Sequence, residues 1–255
     1  IKYCFMIHLT EAENFNLDAS LIKGGLIGIE RESLRVGNGK ISSGQHPSVL
    51  GKKLENCFIT TDFSESQTEF ISPPLNNKND ALDFLHDLNY FFYNNVDEAL
   101  WPFSMPPFIS NQDEINLADF GNTNEGIFKR IYRQGLSNRY GKYMQCISGI
   151  HFNYSFPETI FEYISEKNGL TNNKKFKSEI YFKTIRNISR YNWLLLYLFG
   201  ASPIVSKNFY NTNNLFVKHK QSFYLPNATS LRMSNIGYQT PKQSDFLVSL
   251  NSLDE

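Results

Sequence analysis

The chain has 255 residues, and its 25 Lys+Arg balance 25 Asp+Glu, so it carries no net charge and nothing in its composition favours a nucleic-acid or anionic-membrane partner. Hydrophobic residues make up 41% and charged residues 20%, the proportions of an ordinary globular protein with one large domain or two small ones. The longest apolar run, residues 191–205, is broken by Asn192, Gly200, Ser202 and Pro203 and is too short to span a membrane. Cys4, Cys57 and Cys146 lie far apart, follow no metal-binding spacing and cannot all pair, which fits a reducing cytoplasm. The chain starts with Ile and stops at Asp254-Glu255 without a closing element, so it is expected to be a fragment.

In chain order, residues 9–22 have a weak helical pattern. The stretch Gly28-Ile29-Glu30-Arg31-Glu32-Ser33-Leu34-Arg35-Val36, with Leu26 and Ile27 before it, is predicted as a strand. Side chains alternate along it, so Glu30 and Glu32 share one side with Cα atoms roughly 6–7 Å apart, and Arg31 and Arg35 take the other. Carboxylates that close repel unless a cation sits beside them. Alone, such a pair is most often a solvated strand face. With both arginines facing away, a metal ion is a reasonable counter-charge.

Turns follow at residues 37–40 and 44–47, where His46 reads as structural or exposed. Residues 58–63 and 67–71 are predicted strands, the first leading into a loop with Asp62, the second placing Gln67, Glu69 and Ile71 on one face. Glu69 stands in a mostly apolar strand, where a carboxylate needs a partner. Ala81, Leu85, Leu88 and Phe92 form the core stripe of a helix over residues 77–95, leaving His86 and Asp87 to solvent. Trp101-Pro102 and Met105-Pro106-Pro107 make a stiff connector. Asn122 and Glu125 predict a capped helix start, with Gly141 as the stop. On that helix Tyr132 and Leu136 share a face, beside Arg133.

Residues 145–155 are predicted as one strand. Its polar face holds Gln145, Ile147, Gly149, His151, Asn153 and Ser155, and Gly149 leaves room for close approach to the backbone. A lone His is usually satisfied or exposed, but its row with Gln145 and Asn153 points to a ligand or substrate contact. A long helix over residues 177–199 carries Arg186 and Arg190 on one face as solvated or ion-paired charges. A polar loop is expected over residues 208–222, and residues 228–238 bring Arg232, hydroxyls and Tyr238 together. No repeat and no domain-scale linker interrupts the chain.

The residues alone add up to Glu30, Glu32, Asp62 and Glu69 gathered by two strands and a loop, plus a polar strand with His151. Hard carboxylate oxygens suit magnesium or manganese, and a single imidazole is tolerated more easily by manganese. There is no glycine-rich phosphate loop, dinucleotide fingerprint or nucleophile elbow. The reading at this point is a metal-dependent enzyme of phosphoryl transfer or hydrolysis.

The segments Gly-Ile-Glu-Arg-Glu-Ser-Leu-Arg-Val, Phe-Ile-Thr-Thr-Asp-Phe-Ser-Glu, Thr-Glu-Phe-Ile-Ser-Pro, Trp-Pro-Phe-Ser-Met-Pro-Pro, Met-Gln-Cys-Ile-Ser-Gly-Ile-His-Phe-Asn-Tyr-Ser and Ala-Thr-Ser-Leu-Arg-Met-Ser-Asn-Ile-Gly-Tyr occur in that order. Together they resemble bacterial glutamate–cysteine ligase, in the form typical of gamma-proteobacteria. The resemblance implies an α+β fold with a glutamine-synthetase-like, mainly antiparallel sheet and helices packed around it. It implies ATP-dependent joining of the γ-carboxylate of L-glutamate to the amine of L-cysteine through γ-glutamyl phosphate, the first step of glutathione synthesis. By motif, Glu30, Glu32, Glu69 and His151 match metal ligands for Mg2+ or Mn2+, and Asp62 matches an acid of the same cluster. Phe63, Tyr132, Leu136, Gln145 and Tyr238 match residues around the cysteine substrate. Arg232 matches the basic residue that holds the glutamyl or acyl-phosphate group. The family chain is longer, and its second half brings a further Glu-containing strand motif and much of the nucleotide pocket. The 255 residues are therefore expected to be the N-terminal part of a single catalytic domain of a monomeric, cytoplasmic enzyme. The alternative is a non-catalytic remnant that binds metal or amino acid only.

Overall fold

A computed structural model describes residues 20–200, 203–207 and 215–234. The fold is built around one long strand, β1 (Leu26–Gly37). It pairs antiparallel with β2 (Lys40–Ile41), β4 (Gln67–Ile71), β5 (Ala99–Leu100) and β6 (Ile150–Ser155), and β3 (Ile59–Thr61) pairs with β4 on its far side. The mainly antiparallel sheet with helices packed around it is the expected α+β class.

The back of the sheet is closed by α2 (Lys78–Asn95), which follows α1 (Ser20–Lys23). Asn77 starts α2 by accepting the Asn79 N–H on its side chain. Its Ala81, Leu85 and Phe92 pack with Ile29, Ile59 and Phe70 from the strands, and Leu88 joins them half-buried. His86 and Asp87 are exposed, as the stripe predicts.

Toward the other end of the sheet, on the face that bears the acids, Leu34, Phe63, Ile109, Ile115 and Cys146 form a second core. It lies by α3 (Asn124–Tyr140), which begins one residue later than the Asn122 reading. Thr123 caps it, accepting the Gly126 N–H. The register is set by Gly126, where a Cβ would lie 2.6 Å from the carbonyl oxygens of Phe120 and Gly121.

The strand expected over residues 145–155 begins only at Ile150. Gly141, at φ 80°, ends α3, and a single turn, α4 (Lys142–Gln145), follows. Residues 144–148 are all buried, so their polar–apolar alternation has no exposed face to report on. The chain straightens where β1 supplies a partner for Ile150.

Beyond β6, α5 (Glu158–Asn168) and the start of α6 (Lys174–Phe199) enclose a small core of Ile160, Phe161 and Phe176. Part of the expected polar loop is ordered as strand. β7 (Ile204–Ser206), β8 (Val217–His219) and β9 (Ser222–Tyr224) form a second sheet, with Lys220 at φ 53° in the turn between β8 and β9. Phe216, Phe223 and Leu225 dock it on Met144, Ile147 and Leu231. Among the described residues, no helix is long and apolar enough to cross a membrane.

Candidate active site

Strand register assembles the site. Directly opposed residues of an antiparallel pair project to the same side. Glu32 on β1 opposes Glu69 on β4, and Glu30 opposes His151 on β6. The alternation that puts Glu30 and Glu32 on one face therefore collects Glu69 and His151 there too. Arg31 and Arg35 face away: Arg31 donates to Asn89 on α2 at 2.7 Å, and Arg35 pairs with Glu98.

One ligand atom each from Glu30, Glu69 and His151 lies within 4.8 Å of the others. His151 Nδ1 is 3.0 Å from Glu30 Oε2, and Asn153 donates to Glu30 Oε1 at 2.8 Å. Glu32 is deeper. Its Oε2 accepts from the Gly149 N–H at 2.8 Å and from Gln67 at 3.3 Å, and its Oε1 is 3.8 Å from His151 Nε2. Asp62 follows β3, and its carbonyl accepts from Arg133 Nε at 2.5 Å. Burial, and after it the Asp62 charge, raises the Glu32 carboxyl above its ordinary range, with Arg232 opposing. Glu69 is pushed up to about 7 by burial, then by Asp62, Glu32 and Glu30.

These donors fit a divalent cation. Three oxygen or nitrogen ligands converge from three strands, and Glu69 is crowded enough to hold a proton near neutrality. Among the described residues, no lysine or arginine forms an ion pair with Glu30 or Glu69. A hard cation would supply the missing counter-charge.

Arg232 stands next to this cluster. It donates to the Ile147 carbonyl at 2.9 Å and lies 3.8 Å from Glu32 Oε2. A Cβ on Gly149 would come within 3.2 Å of Arg232 Nη1 and 3.8 Å of Glu32 Oε2, so the bare glycine lets cation and carboxylate meet beside the backbone. A cavity of about 480 Å³ opens there, lined by Ser148, Gly149, Phe152, Phe199 and Arg232 among others.

The family model for glutamate–cysteine ligase matches residues 12–255. The chain belongs to the glutamate–cysteine ligase family. It is 44% identical over 243 residues to a glutamate–cysteine ligase of Pseudomonas entomophila, covering 93% of this chain and 46% of that one. A Vibrio vulnificus glutamate–cysteine ligase is 42% identical over 233 residues, with 89% and 44% covered. A crystal structure of glutamate–cysteine ligase from Francisella tularensis in complex with AMP superposes with a TM-score of 0.82 at 41% identity, covering 91% of this chain and 46% of that chain. A bifunctional glutathione synthetase from Pasteurella multocida gives a TM-score of 0.75 at 31% identity, covering 92% of this chain and 30% of that one. The chain thus spans about half the length of the curated glutamate–cysteine ligases it matches.

The residues that the ligase resemblance assigns to cysteine are less uniformly gathered. Phe63 is buried in the second core, with Leu136 half-buried against it. Tyr132 is exposed on α3. Gln145 is buried at the end of α4 and does not stand in a strand row with His151, because no strand exists there. Tyr238 lies outside the described residues.

Sequence reading missed the parts that hold the site from behind. Gln67, which shares the strand face of Glu69, is fully buried and donates to Glu32. Arg133 supports Asp62 while its guanidinium lies 4.5 Å from the Phe120 ring centre. Glu65, in the β3–β4 turn, accepts from Lys53 and from the backbone N–H groups of His46 and Asp119. The i, i+2 pattern could have flagged Gln67. Nothing in local spacing signals Arg133 or Glu65, whose partners are distant in the chain.

Proposed function

We propose that these residues form the N-terminal part of the catalytic domain of a cytoplasmic, monomeric enzyme that joins the γ-carboxylate of L-glutamate to the amine of L-cysteine with ATP. The observation that carries this reading is the convergence of Glu30, Glu69 and His151 beside Arg232 and a cavity, in a chain of this family.

The chemistry sets the requirements. A carboxylate oxygen attacks the terminal phosphorus of ATP and ADP leaves, giving γ-glutamyl phosphate. The cysteine amine then attacks the acyl carbon, phosphate leaves, and the amine loses its proton. Two anions must meet in the first step, so the site must offset their repulsion. Glu30, Glu69 and His151, with Glu32 and Asp62 adjoining, would hold Mg2+ or Mn2+, which supplies Lewis-acid neutralisation of phosphate charge when bound. Arg232 presents a planar fork suited to gripping a carboxylate or acyl phosphate at two points. Gly149 keeps the approach to it clear. Phe63, Tyr132, Leu136, Gln145 and Tyr238 serve the cysteine side.

The test uses the full polypeptide read from the gene through and past Glu255. It should release ADP only with glutamate, cysteine and Mg2+ or Mn2+ all present. Glu30→Ala should lower the rate by at least about a hundredfold, the scale of losing an electrostatic group at a reacting centre. ADP release that does not need cysteine, or an unchanged rate in the variant, overturns the reading. A reading frame that closes at Glu255 favours the remnant that binds without turnover.

A further inference from the structure

The second half of α6 does not match its surroundings. Its first turns pack on α5 through Phe176, Ile180 and Tyr181. From Ile185 onward, nine large apolar side chains are exposed, with Trp193 at 65%, Tyr197 at 69% and Phe199 at 79%. Residues 191–199 contain no charge, and these side chains point in every direction around the helix axis. A helix that is apolar all round is normally a buried one, and an open patch of this extent marks an interaction surface.

β6 has the same character. Among the described residues it pairs only with β1, so its outer edge offers unpaired N–H and C=O groups. Ile150 and Phe152 on it are 71% and 64% exposed. Such an edge is a ready template for a further strand. The two surfaces are continuous, because Ile150 and Phe152 from β6 and Leu196 and Phe199 from α6 line the same cavity as Gly149 and Arg232.

We propose that the second half of α6 and the outer edge of β6 are the docking surface for the remainder of the full-length chain, which thereby supplies the missing wall of the Arg232 cavity. The occupant follows from length and chemistry. More than half of the length of each of these relatives lies outside the matched region. Beyond Arg190 the helix surface is uncharged and apolar, and with the open edge of β6 it suits a folded polypeptide with an apolar face and a free strand. The proposal rests on the family reading for the existence of that remainder, but it does not depend on the reaction.

Hydroxyl-radical footprinting of the unsubstituted full-length protein tests it by mass spectrometry. Tyr197 on α6 is compared with Tyr90 on α2, a residue of the same type that is 74% exposed. Tyr197 should be oxidised at least about tenfold more slowly than Tyr90, the contrast between a covered and an open ring. The difference should vanish in denaturant and should not change with protein concentration. Equal rates for the two tyrosines overturn the proposal. Protection that grows with protein concentration overturns it in favour of a second copy on this face. A frame that closes at Glu255 overturns it as well. Protection in a protein without ligase activity upholds the docking and counts only against the reaction.

Discussion

Gly149 joins two requirements at one position. Its N–H holds the Glu32 carboxylate, and its missing side chain leaves room for Arg232. Gly149→Ala should fold, since the added methyl meets the movable end of Arg232. The urea midpoint should then report a stability change within about 1 kcal/mol. In the full-length enzyme the same change should raise KM for glutamate about tenfold, or ~1.4 kcal/mol of lost binding, leaving KM for cysteine within about twofold. A second residue-level expectation concerns acid. Burial, then the charges of Lys53 and Arg35, lowers His46 from 6.5 to about 4. Between those values the unfolded chain binds the proton more readily, so stability falls as pH drops from 6.5 toward 4. Glu65 acts in the same direction at lower pH. Burial alone would raise it, but the Lys53 bond and the Asp119 and His46 N–H groups hold it below the usual carboxylate range. The His46 part should amount to on the order of 1–2 kcal/mol near pH 4.5, reduced from the full shift by partial solvent access. His46→Gln should flatten the melting temperature between pH 6.5 and 4.5.

The elements differ in how much they disclose beforehand. α2 is legible because its stripe has a helical period and Asn77 is a capping residue. β1 is legible because Leu26, Ile27, Leu34 and Val36 are strand formers at its ends and the two acids between them fall two residues apart. With both glutamates on one strand, and Glu69 and His151 on two others, the acid–imidazole cluster could be expected as soon as those strands pair. The end of α4 was hidden because residues 144–148 are all buried, which removes the polar–apolar contrast on which periodicity depends. β8 was hidden by polar composition, since its order comes from docking neighbours on Met144 and Leu231 rather than from its own side chains. At the start of α3, two capping residues stand side by side, and the crowding at Gly126 selects Thr123. Thr123→Ala should therefore lower stability by about 1 kcal/mol, the usual value of a lost N-cap. Asn122→Ala should change it by no more than a few tenths of a kcal/mol, and paired thermal melts distinguish the two.

At the scale of the molecule, the fold and the acid cluster are inseparable, because β1 is both the centre of the sheet and the holder of Glu30 and Glu32. A ligand held only by the folded arrangement raises its stability by mass action. Mn2+ at a hundredfold excess over its Kd should stabilise the full-length protein by about 2.7 kcal/mol. Calorimetry should record a rise in melting temperature that a chelator reverses and that Glu69→Ala abolishes. The same scale explains what the amino-acid pattern could not disclose. Exposure of Trp193 or Ile150 depends on which polypeptide lies against them, and no local period encodes that.

The central strand also imposes an order of events. Its neighbours are contributed by segments as far apart as residues 67–71 and 150–155. While the ribosome is still making the chain, Glu30 and Glu69 emerge long before the imidazole that joins them. A nascent polypeptide therefore carries the acids without the three-point centre, which cannot close until synthesis has passed His151 and β6 has zipped onto β1.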